Sequence, residues 1–91
     1  MATPRDLAHL LLARAGEDEA AAEAMMPIAT VTNAIVAFHA QQAVEKALKA
    51  VLAAREHEFP FTHDLDALAE LCRSKGIVVP TELGDLDRPP P

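Results

Sequence analysis

The chain has no tryptophan and no tyrosine, and only three phenylalanines in 91 residues. A β-sandwich built on aromatic and β-branched side chains is therefore a poor fit. Glycine is as scarce, at three, and none of them cluster, which excludes a glycine-rich phosphate loop. The single cysteine, Cys72, cannot form an internal disulfide, and with four scattered histidines it offers no zinc-ligand spacing. No apolar run approaches the length of a membrane span, and the N-terminus lacks the hydrophobic stretch of a secretion signal. The expectation is a soluble cytoplasmic protein with no membrane, metal or cofactor. Basic residues are outnumbered by acidic ones, 8 to 14, for a net charge of −6. Such a balance opposes wrapping nucleic acid over the general surface, although a local basic patch remains open.

What the chain has in quantity is alanine, leucine and glutamate, arranged for helices. Ninety-one residues suit one domain spanning 1–91. Thr3-Pro4 makes a helix start, with a hydroxyl at the cap and proline in the first turn. A first helix is expected from about Pro4 to Met26, bent at Gly16 if anywhere, with Leu7, Leu10, Leu11 and Ala15 on its apolar face. Pro27 ends it, and Ile28 to Thr32 form a connector. The second helix starts at Thr32 or Asn33 and runs to Arg55 or Glu56. After a turn whose Phe59 and Phe61 are expected to fold onto the core, Thr62 opens a third helix. Leu65, Leu68, Leu71 and Cys72 form its stripe, and Gly76 stops it. Thr81 to Leu83 allow one short turn, with Leu83 and Leu86 near the core. The proline-rich tail 87–91 is irregular.

The second helix carries the most information. At about 100° per residue, Val36, Ala40, Ala43, Val44, Ala47, Leu48, Val51 and Leu52 belong to an apolar surface covering well over half the circumference. The remaining arc holds His39, Gln42, Lys46 and Lys49, with Gln41 and Glu45 on its edge. A helix so apolar is expected to be enclosed by others, wet along this one stripe. The stripe has two readings: a nucleotide- or RNA-contacting surface, or a packed polar seam in which the lysines stay solvated. Glu45 suits an ion pair with Lys49 in the favourable i, i+4 order. Thr62-His63-Asp64 suits helix capping, with His63 able to reach the second helix. Cys72 on an apolar stripe reads as a small buried hydrophobe.

Phe38-His39-Ala40-Gln41-Gln42-Ala43-Val44-Glu45-Lys46-Ala47-Leu48-Lys49-Ala50-Val51-Leu52, followed by Thr62-His63-Asp64-Leu65, resembles the HEPN (higher eukaryotes and prokaryotes nucleotide-binding) domain family. The resemblance covers roughly residues 3 to 80. It implies an all-α fold, an antiparallel up-and-down bundle, here of three main helices and a short C-terminal turn. The family usually adds a further long helix, so dimerisation is expected to complete the bundle. The resemblance also implies a helical interaction module, without catalytic residues of its own. Its expected partner is a minimal nucleotidyltransferase in a bacterial toxin–antitoxin-type pair, with nucleotide contact along the stripe. The alternative is a metal-independent ribonuclease toxin acting as a dimer. Ribonuclease members of the family carry an arginine followed by a histidine with four to six residues between them. Here Arg5 precedes His9 with three residues between, Arg55 precedes His63 with seven, and the motif is absent. Any such activity would need a composite site, with an arginine such as Arg55 from one subunit and His39 or His63 from the other.

Overall fold

The computed structural model describes residues 2–79, and the expected short turn at 81–83, the contacts of Leu83 and Leu86 and the tail 87–91 lie outside them. The described residues form three helices: α1 (Pro4–Met25), α2 (Asn33–Ala54) and α3 (Leu65–Ser74). This is the expected all-α class.

α1 begins with a reciprocal cap. Thr3 Oγ1 accepts from the Asp6 backbone N–H at 3.1 Å, and Asp6 Oδ2 accepts from the Thr3 N–H at 3.0 Å. Two otherwise orphaned donors are satisfied, and Pro4 at the first helical position wastes none. The helix runs unbroken through Gly16 for 22 residues. Its buried side chains are Ala8, Ala15 and Ala22, seven residues apart, with Leu11, Asp18 and Met25 half-buried beside them. That heptad spacing puts a narrow strip of small residues against α2 and lets the two backbones approach closely. The leucine face expected from sequence is therefore corrected: Leu7 and Leu10 flank the strip and remain 41% and 52% exposed.

A short connector follows, its turns closed by Ile28 N–H to Met25 O and Val31 N–H to Ile28 O. Thr32 caps α2, accepting from the Ile35 N–H at 3.4 Å. The connector returns α2 antiparallel to α1, so that the start of α1 lies beside the end of α2 and Asp18 lies beside its middle. α2 ends where Glu56 turns into the left-handed region at φ 57°, with His57 N–H donating to Leu52 O at 2.9 Å. α3 ends the same way: Gly76 has φ 78°, and Ile77 N–H donates to Cys72 O at 2.9 Å. Both are six-residue reverse caps, one with the glycine that this conformation favours and one without.

α3 starts later than expected from Thr62. Asp64 is its cap, with Oδ1 accepting from the Ala67 N–H at 3.1 Å, and Thr62 Oγ1 in turn accepts from the Asp64 N–H. The core lies between the second half of α2, α3 and the segment after it: Leu48, Leu52, Leu65, Leu68, Ala69, Cys72, Ile77 and Val79. Phe59 packs against this core, but Phe61 is fully exposed, contrary to the sequence expectation for the pair.

α2 is not enclosed along its length. Its 22 residues span about 33 Å, whereas the 10 of α3 cover about 15 Å. Among the described residues, the first half of α2 therefore has no neighbour on the α3 side, and Ile35 and Phe38 stand 47% and 55% exposed. The single wet edge expected from the helical wheel is replaced by an open first half.

Candidate functional site

The stripe His39–Gln42–Lys46–Lys49 faces neither solvent nor a groove along most of its length, because α1 lies across it. Asp18 sits on the α1 strip, one heptad after Leu11, and its carboxylate bridges two stripe residues. Oδ1 meets His39 Nδ1 at 3.1 Å, and Oδ2 accepts from Lys46 Nζ. The three side chains are only 14%, 32% and 27% exposed respectively. The Lys46 ammonium, and after it His39, hold the Asp18 carboxyl below the usual carboxylate value despite the opposing effect of burial. The exposed ring of Phe38 meets His39 edge-on, with centroids 5.4 Å apart.

A second carboxylate repeats the arrangement one helical face away. Glu45 is buried, at 3% exposure. Its Oε2 accepts from Lys49 Nζ at 3.1 Å, and its Oε1 lies 2.9 Å from His63 Nδ1. Each carboxylate thus holds one lysine and one histidine. α1 supplies the carboxylate of the first cluster; in the second, Glu45 and Lys49 lie one turn apart on α2 and the segment before α3 adds His63. Lys46 and Lys49 are both charge-compensated, and neither is the solvated lysine of the seam reading. Gln42 is half-buried between the two clusters and joins neither.

His63 reaches α2, yet its side chain is 81% exposed. With Nδ1 directed at a buried carboxylate, its other ring nitrogen faces outward. Such a carboxylate fixes the orientation of an imidazole. Among the described arginines, Arg14 pairs with Glu17 and Arg73 with Glu70, while Arg5 and Arg55 lie at helix ends. Among the described residues, no three metal-ligating side chains converge. Cys72 is fully buried, and burial pushes its thiol up.

Sequence reasoning missed Asp18 altogether. The information was present, since a carboxylate in heptad register with Ala8, Ala15 and Ala22 must sit on or beside the strip. It also took Glu45 only as a partner of Lys49. That Glu45 is buried and shared with His63 depends on where the 57–64 segment crosses α2.

Where the start of α1 meets the end of α2, the two helices and the 56–61 segment enclose an open-sided groove of about 930 Å³. Leu7, Leu11, Ala53 and Phe59 form its apolar lining, Lys49 enters from the stripe, and Phe61 stands at its edge. No helix among the described residues is long and apolar enough to cross a membrane. A family model described as HEPN domain matches residues 8–87. No curated protein and no solved structure matches the chain.

Proposed function

The chain belongs to the HEPN domain family, and from that premise we infer that it is a helical docking module, a homodimer that pairs with a minimal nucleotidyltransferase in a toxin–antitoxin-type couple. One observation carries the reading. Met26, Ile28, Ile35 and Phe38 gather at the connector end of the α1–α2 hairpin, each between 47% and 68% exposed. Large apolar side chains concentrated this way favour burial by another chain. A closed two-fold dimer is the simplest way to cover them. In this reading the lysine stripe is structural: its charges are matched by Asp18 and Glu45, and it holds α1 onto α2.

Co-expression with a nucleotidyltransferase encoded beside the gene tests the pairing, and light scattering of the free protein tests the dimer. A monomer that co-purifies with no such enzyme refutes the proposal. Nucleotide contact is the competing role for the stripe. Calorimetry with ATP on wild type and Lys49→Ala separates the two, because a structural stripe gives no binding that this substitution removes.

One observation favours the ribonuclease alternative. His63 is exposed and oriented by a buried carboxylate, as a general base requires. RNA incubated with wild type and with a His39→Ala, His63→Ala double variant decides it. Equal, negligible cleavage by both removes this reading.

A further inference from the structure

The groove lies at the opposite end of the hairpin from the apolar cluster just described, and its chemistry differs. Its floor is aliphatic, from Leu7, Leu11 and Ala53, and Phe59 forms one wall. The one lysine among its described lining residues is already matched: Lys49 Nζ donates to Glu45 at 3.1 Å and is 12% exposed. Glu56 and Glu58 also line it, and both are exposed. With Lys49 neutralised by Glu45, the uncompensated carboxylates of the lining are Glu56 and Glu58, with His57 between them, on a chain that is itself −6. Phe61 stands beside them with its whole side chain in solvent.

We propose that this groove docks a basic amphipathic helix from a partner protein, its apolar face in the trough and its lysines or arginines against Glu56 and Glu58. The proposal rests on the docking-module reading and names where the partner binds and with what chemistry. Three physical arguments select this occupant. An open-sided apolar trough between helices accepts the i, i+3, i+4 anchors of a helix. An acidic rim around an apolar floor attracts a basic partner and repels an acidic one, so a second copy of this −6 chain is disfavoured there. An exposed phenylalanine at the edge supplies an aromatic anchor, and its face suits an arginine or lysine.

The test uses the whole protein and two synthetic amphipathic helices with identical leucine faces, one with lysine and one with glutamate on the polar side. Titration followed by backbone amide shifts reads both affinity and place. The lysine peptide is expected to bind at least about tenfold more tightly than its glutamate counterpart, with shifts concentrated at Leu7, Leu11, Ala53 and Phe59. Glu56→Lys with Glu58→Lys removes that preference. A control reversal of Glu19 and Glu23, equal in net charge but away from the groove, preserves it. Phe61→Ala, at a side chain with no packing to lose, weakens both peptides by about tenfold. Equal binding of the two peptides overturns the proposal, as does a preference that survives the Glu56 and Glu58 reversal. So do shifts mapping elsewhere, or a free dimer that Phe61→Ala dissociates. Because no nucleotidyltransferase is present, failure here leaves the co-purification result standing, and the converse also holds.

Discussion

Asp18→Asn is the substitution that most directly probes how α1 is held. The strip that joins α1 to α2 is made of alanines, which bury little apolar area each, so the polar bridge carries an unusual share of the attachment. Asp18 receives Lys46 and lies within hydrogen-bonding distance of His39. A hydrogen bond to a charged group is worth about 1.5–3 kcal/mol when shielded, and an exposed ion pair less than about 1 kcal/mol. At 14% exposure for Asp18, 27% for Lys46 and 32% for His39, the bridge falls between these limits. Asparagine keeps the shape and one acceptor oxygen but loses the charge. The expected loss is about 2 kcal/mol, a fall in Tm of roughly 10 °C for a domain this size. Glu17→Gln, which breaks an exposed pair with Arg14 one residue earlier, is expected to cost under about 0.5 kcal/mol. Urea denaturation of the three proteins at neutral pH measures both. The sign of the pH dependence follows from the depressed Asp18 value. A carboxyl held below its unfolded value of 3.8 adds stability that is complete above that pH and lost as pH falls through the folded value. The wild-type advantage over Asp18→Asn should therefore hold at pH 7 and shrink below about pH 4. Asp18→Asn within about 0.5 kcal/mol of wild type, or a difference that stays constant into acid, refutes the reasoning.

Leu68→Ala, at a side chain with no exposed surface, should cost about 2–5 kcal/mol in the same urea assay. Glu56→Gly should stabilise by up to about 1 kcal/mol, because the left-handed residue ending α2 carries a Cβ there and glycine does not; circular-dichroism melting reads the sign. Cys72 should react with a thiol reagent only as fast as the protein opens, since burial both hides the thiol and disfavours its thiolate. Its rate should therefore rise with urea in step with unfolding. Phe61→Ala should leave stability within about 0.5 kcal/mol of wild type, which is what qualifies it as a probe of the groove.

The helices and all of their limits but the start of α3 were legible from local chemistry. Thr3-Pro4, Thr32 and Gly76 act within one turn of the backbone they cap, so their effect needs no distant partner. The same holds for the periodicity of Leu65, Leu68 and Cys72, which makes α3 amphipathic whatever it packs on. The chain's membership of its family was likewise readable from the α2 stretch and Thr62-His63-Asp64-Leu65. What the tertiary structure alone decided was direction. A helical wheel shows that His39, Lys46 and Lys49 share a face, but not that Asp18 lies across from it, because a contact 21 or 28 residues away depends on the angle at which two helices meet. Likewise the 10-residue length of α3 was nearly visible in sequence, whereas its failure to shield Ile35 and Phe38 follows only from which end of α2 it lies against. Local rules act through neighbours along the chain; the pairing of carboxylates with lysines, and the groove beside them, arise from residues that only folding makes neighbours.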